Sequence, residues 1–167
     1  MIWYGLLIAA VAVERVAELV VSQRNLSWSR ARGGVEFGAG HYPAMVALHS
    51  ALLVGCLVEA FYRPFLPALG WPMLAVVLAA QGLRWWCIAT LGHQWNTRVV
   101  VVPDAARVTS GPYRFFSHPN YVAVVVEGIA LPLVHTAWVT AVVFTVLNAV
   151  LLRTRIGVEN SALTSLR

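Results

Sequence analysis

Residues 118–152 read HPNYVAVVVEGIALPLVHTAWVTAVVFTVLNAVLL. Two apolar runs, 118–134 and 137–152, are separated only by His135-Thr136, shortly after Pro132. So short a connection makes neighbouring helices antiparallel, so this stretch predicts a tight helical hairpin. Both runs are far longer than a barrel strand, and in lipid only helices or closed barrels satisfy the backbone. At under the roughly 20 residues of a bilayer span, they predict little tilt and a thinned bilayer or a partly interfacial position.

Three further apolar runs precede the hairpin, at 2–21, 43–61 and 71–91. The sequence therefore predicts an all-α, polytopic integral membrane protein of five transmembrane helices. It reads as a single domain over 1–167, with three helices in 1–91 and the functional core in 92–167. Composition agrees: 59% of residues are hydrophobic and 11% charged, against roughly 25% charged in soluble domains. That excludes a water-soluble globule and disorder. Cys56 and Cys87 lack a CxxC spacing and read as small buried hydrophobes, not a disulfide framework or redox pair.

The net charge of +5 comes from twelve Arg and no Lys against seven acids. In a membrane protein this marks cytoplasmic loops, not nucleic-acid binding. Arg24, Arg30, Arg32, Arg98, Arg107, Arg114, Arg153, Arg155 and Arg167 fall on one side of five spans. Arg63 falls on the other, and Arg15 and Arg84 lie within spans. The alternation predicts an external N-terminus and a cytoplasmic C-terminus. Met1-Ile2-Trp3-Tyr4 carries no basic region and no cleavage site follows, so the first helix is expected to be retained.

Ionisable groups within spans invite functional readings, although near helix ends they also pair or reach the headgroups. Glu14, Arg15 and Glu18 share one face, with Arg15 three residues from Glu18, which predicts an internal ion pair. His41, Met45 and His49 recur every four residues, bringing both histidines towards Glu14 or Glu18 if the first two helices pack together. No HxxxH or HExxH motif is present and no carboxylate or Cys sits at a ligand offset, so no metal site is expected. Glu59 and Arg63 read as an anchor at the outer end of the second helix, and Trp3, Trp71 and Trp138 as an interfacial belt.

The densest polar cluster is Gly111-Pro112-Tyr113-Arg114-Phe115-Phe116-Ser117-His118-Pro119-Asn120-Tyr121. Gly-Pro marks a turn, and Pro119 suits the first position of a helix, whose positive end would accept a carboxylate or phosphate. Past the fifth run lies Arg155-Ile156-Gly157-Val158-Glu159. On a continuing helix Arg155 and Glu159 share a face and could pair with each other, while the hairpin returns them towards His118 and Tyr121.

With Leu91-Gly92, Trp95 and Val108-Thr109-Ser110 added, this set resembles the isoprenylcysteine carboxyl methyltransferases, membrane enzymes that use S-adenosylmethionine. The resemblance covers about the C-terminal half. It implies cofactor contacts at Arg98, Ala105, Ala106, Arg107, Val108, Tyr113, His118, Pro119, Asn120, Tyr121 and Glu159, and a substrate-side role for Arg155. Ser117 and Asn160 depart from residues common in the family. The N-terminal half, with Glu14-Arg15, Glu18, Ser22-Gln23-Arg24-Asn25 and His41-Tyr42-Pro43, resembles a bacterial branch associated with type III polyketide synthases. That implies lipophilic alkylpyrone hydroxyls as one acceptor, beside the prenylated carboxylates of eukaryotic relatives.

Methyl transfer from a sulfonium is an in-line displacement that rests on positioning and electrostatics, with no metal. A carboxylate acceptor, ionised above about pH 4, needs no base. A hydroxyl would draw on His118, His49 or Glu18, with Arg155 orienting the acceptor oxygen. The expectation is a membrane O-methyltransferase whose cofactor arrives from the cytosol and whose lipophilic acceptor arrives from the bilayer. A lipid-binding or assembly protein that retains the scaffold is the competing expectation. The chain lacks the repeat of a transporter and the Gly-rich strand-to-helix loop of a Rossmann fold.

Overall fold

The computed structural model describes residues 2–165. Met1 and Arg167, used above for the leader and the charge distribution, lie outside the described residues. Five helices follow in order: α1 Ile2–Arg30, α2 Tyr42–Ala60, α3 Pro67–Leu91, α4 Pro119–Leu133 and α5 Trp138–Ser165. The stretches Ala39–Ala60, Pro67–Gln94 and Trp138–Ala162 are long and apolar enough to cross a membrane. α4 is apolar but, with 15 residues, spans only about 22 Å at 1.5 Å per residue. α1 is long enough but carries Glu14, Arg15, Glu18 and Arg24.

The expected hairpin is present. The chain reverses between α4 and α5 over four residues, with Thr136 in the left-handed region at φ 57°. The Ala137 amide closes the turn on the Pro132 carbonyl (2.9 Å). Glu59 caps the new helix, accepting from the Thr140 amide (2.8 Å) and lying 3.5 Å from Arg63. A carboxylate at a helix N-terminus is favoured by the helix dipole.

α3 starts four residues before the expected run, and two helices extend well past their expected C-terminal ends. α5 continues well past residue 152, so the prediction of a short fifth helix is corrected; its polar last turns are helical because Arg155 and Glu159 find partners there. α1 continues past residue 21 because its buried stripe changes chemistry along its length. Tyr4, Ile8 and Val11 enter the apolar core, whereas Glu18, Ser22, Asn25 and Ser29 enter a polar interior. The all-α reading also needs an addition. Val35–Phe37 (β1) pairs antiparallel with Val99–Val101 (β2), Glu36 opposite Val100, and the ribbon packs against α5.

The core joins α1, α2, α3, α4 and α5 through Tyr4, Ile8, Leu52, Cys56, Val77, Leu131 and Phe144. The Tyr4 hydroxyl donates to the Leu131 carbonyl (3.0 Å). Many large apolar side chains face outward, among them Leu6, Val13, Val54, Leu78 and Val146, while Glu18, Arg84, Glu127, Asn148 and Arg155 are buried. Apolar outside with ionisable groups turned inward is the arrangement a bilayer imposes.

Candidate functional site

The turn before α4 is built tightly. Gly111 sits at φ 56°, and a Cβ there would overlap the Thr90 side chain, so Gly is required on both counts. Pro119 then starts α4 at a position that needs no amide hydrogen, with His118 as the preceding residue. Tyr121, one turn in, meets the extended end of α5. Its hydroxyl accepts from Arg155 Nε (2.8 Å) and donates to the Glu159 carboxylate.

The expected Arg155–Glu159 pairing is therefore relayed through a phenol. Arg155 also donates to the Thr97 carbonyl (2.6 Å) and to Met45 Sδ (2.8 Å). It is buried, yet among the described residues no carboxylate forms an ion pair with its guanidinium. On the other side of Glu159, His118 Nδ1 lies 3.6 Å away, and its ring stacks on Tyr121 at 5.4 Å. The Glu159 carboxylate holds the His118 pKa above the usual imidazole value.

These residues line a cavity of about 500 Å³, within the usual range for a small-molecule site. Of the residues predicted to contact a cofactor, Arg98, Ala105, Arg107, Val108, Tyr113, His118, Asn120, Tyr121 and Glu159 line it, as does Arg155. Ala106 and Pro119 do not: the Ala106 carbonyl accepts from Gln94 (3.3 Å), and Pro119 is buried behind the wall. Arg98 is held at the cavity edge by Glu36 (2.7 Å) and lies over the Tyr42 ring. Two buried polar atoms on this wall, Asn120 Oδ1 and Trp95 Nε1, have no hydrogen-bond partner among the described residues.

A second cavity of about 330 Å³ adjoins the first; its surface is mostly apolar, with Ala12, Val16, Leu19, Leu53, Val124 and Leu151 on its walls, but Arg15, Ser50 and Arg84 border it too. Trp95, Asn120, Tyr121 and Arg155 line both cavities and so form their common wall. His41, His49 and Glu18 also border the second cavity. The ring of His49 is fixed by a hydrogen bond between Nδ1 and the Met45 carbonyl (2.9 Å) and by the edge of Phe144.

Glu18 is bound up in a network larger than the pair read from sequence. Arg15 contacts Glu18 (2.7 Å) and Glu127 (2.9 Å), Arg84 bonds Glu127 and lies 3.6 Å from Glu18, and Gln81 bonds Glu14 and Glu127. Sequence reasoning misses Glu127 and Asn148, although a lone acid and a lone amide in apolar helices are conspicuous. Ser22 and Asn25 enter it only through a resemblance. They strap the chain after α3 to α1: Ser22 bonds Asn96 and Thr97 (both 2.8 Å), and Asn25 bonds the Trp95 carbonyl (2.7 Å). The ribbon is missed too, although the β-branched run Val99–Val101 before Pro103 carries that signal.

Two uncharacterized bacterial proteins are similar to this chain along nearly their whole length. YpbQ of Bacillus subtilis (strain 168) is 38% identical over 161 residues, covering 96% of each chain. A protein of Haemophilus influenzae (strain ATCC 51907 / DSM 11121 / KW20 / Rd) is 24% identical over 168 residues, covering 99% of this chain and 98% of the other. A family model matches residues 73–165, from α3 through the turn at Gly111 to the last turns of α5, and so contains the whole Tyr121–Arg155–Glu159 constellation. On that match the chain belongs to the isoprenylcysteine carboxyl methyltransferase (ICMT) family.

Proposed function

We propose that the protein is an S-adenosylmethionine-dependent O-methyltransferase of the membrane, with the methyl donor in the first, more polar cavity and a lipophilic acceptor in the second, more apolar one. The observation that carries this reading is the shared wall: Trp95, Asn120, Tyr121 and Arg155 lie between a chamber of mixed polar and apolar lining and one whose surface is mostly apolar. A reaction between a water-soluble donor and a membrane-soluble acceptor calls for such a boundary.

The residues of the polar cavity suit the donor. Asn120 Oδ1 and Trp95 Nε1 are buried without partners among the described residues, and buried polar groups are normally satisfied. Glu159 would hold a cationic or hydroxyl group, the amide end of α4 a carboxylate, and Tyr113 and Tyr121 offer aromatic faces. Once bound, S-adenosylmethionine supplies a methyl group activated on a sulfonium. The protein's part is to exclude water and to align the acceptor.

Arg155 is the residue suited to the acceptor oxygen. A buried guanidinium without a carboxylate partner favours an anionic oxygen beside it. Because Tyr121 holds it in place, the side chain needs little reorganisation. His118 lies on the donor side, paired with Glu159, and Glu18 is engaged by Arg15. His49 borders the acceptor side with its ring orientation fixed. The alternation of Arg residues supports a cytoplasmic donor cavity, with the acceptor arriving laterally from the bilayer.

The purified protein in detergent, supplied with a radiolabelled methyl donor and a bacterial total lipid extract, is expected to place label in a lipid-soluble product. Base-stable label identifies a phenol or enol ether, and base-labile label a carboxyl ester. Failure of any lipid-soluble product to form above a Glu159→Ala control would overturn the assignment.

A further inference from the structure

The more apolar chamber has polar side chains that contact with the methyl donor does not require. Asn148 of α5 is only 3% exposed, lines this chamber, and has no hydrogen-bond partner among the described residues. A buried amide offers both donors and an acceptor, and leaving them unmet is costly. His49 faces the same chamber from α2. Its Nδ1 is directed at the Met45 carbonyl, which can only accept. In the neutral ring Nδ1 therefore carries the hydrogen, and Nε2, without a partner among the described residues, is left as an acceptor. The Phe144 ring abuts His49 edge-on at 5.3 Å and stands one turn from Asn148 on α5, so the two polar groups belong to one layer.

This layer lies deeper in the bundle than Arg155. Asn148 precedes Arg155 by seven residues on α5, a rise of about 10 Å. On α2, His49 follows Met45, whose sulfur touches the guanidinium, by four residues, a rise of about 6 Å. Leu151, Leu152 and Val124 line the chamber beside these layers, and Arg15, Glu18 and Arg84 of the ion network border it from α1 and α3.

We propose that His49 and Asn148 form a second recognition point, so that the acceptor is a lipophile with two polar ends. One end is the oxygen held at Arg155. The other is a hydroxyl about 6–10 Å away, to judge from the helical rise, which donates to His49 Nε2 and accepts from the Asn148 amide. A hydroxyl meets both needs at once, whereas a simple one-headed lipid leaves both groups unsatisfied. The inference rests on the reading of this chamber as the acceptor site.

Two ligands with the same ring skeleton test it: para-phenylphenol, with one hydroxyl, and para,para′-biphenol, with a second at the far end. Binding to the full chain in detergent, without methyl donor, is followed by calorimetry for the wild type, Asn148→Leu and His49→Phe. The wild type is expected to prefer biphenol by about tenfold or more, since a site built for a hydroxyl discriminates against its absence. In both variants the preference should collapse while phenylphenol still binds. Comparing each variant with the wild type cancels the partitioning of the ligands into detergent. A biphenol preference that is absent in the wild type, or unchanged in both variants, overturns the second recognition point alone. If neither ligand binds the wild type, the reading of the chamber as an acceptor site falls with it.

Discussion

The Tyr121 hydroxyl accepts from Arg155 and donates to Glu159, so removing it alone uncouples two charged groups, Arg155 on the wall common to both cavities and Glu159 in the first. Tyr121→Phe should destabilise the protein by about 1–3 kcal/mol, the usual cost of unsatisfied buried partners, and weaken donor binding; thermal unfolding and calorimetry read the two effects. The four-residue spacing of Arg155 and Glu159 is legible in the sequence, but the phenol between them is not, because it arrives from another helix. His118 adds a pH dependence. Its folded pKa is raised by Glu159, so the pair's contribution is complete below the ordinary imidazole pKa and is lost as pH rises through the raised value. The melting temperature of the wild type should exceed that of His118→Gln clearly near pH 6, and the difference should vanish towards about pH 9. Gly128 is a further test: a Cβ there would overlap the Phe144 ring, which backs His49. Gly128→Ala should cost about 1–3 kcal/mol, measurable as a lowered melting temperature.

At the level of elements, α1, α3 and α4 are tied by ions within an otherwise apolar bundle. Arg84 and Glu127 are both buried and bond each other. Removing Arg84 leaves Glu18 and Glu127 to share Arg15, one buried negative charge without a cation of its own, so Arg84→Met should cost about 3–5 kcal/mol, whereas Arg84→Met combined with Glu127→Met should recover most of it. Unfolding in detergent of the two single variants and the double variant measures this coupling. The sequence reveals the Arg15–Glu18 member of the network because it lies within one helix. Arg84 and Glu127 are on different helices, and only the bundle brings them together. The helix ends escape sequence reading for a related reason. Hydropathy marks where α1 and α5 stop being apolar, yet both continue because their polar turns face Asn96, Thr97 and Tyr121 rather than water.

Across the whole molecule the hairpin and the inward-facing polar residues are readable from periodicity and punctuation. The pair of cavities is not, since it is made by side chains of every helix. Arg32 and Arg63 should mark opposite faces of the membrane. Placing a cysteine at either position, in a background of Cys56→Ala and Cys87→Ala, should give labelling by an impermeant reagent from opposite sides of sealed vesicles. The central claim, that the polar cavity holds the methyl donor, is tested most directly by calorimetry of the purified protein with S-adenosylmethionine. Saturable binding that is lost in Glu159→Ala and Tyr121→Ala is the expected result. No heat of binding at millimolar donor, or binding indifferent to both substitutions, would contradict it.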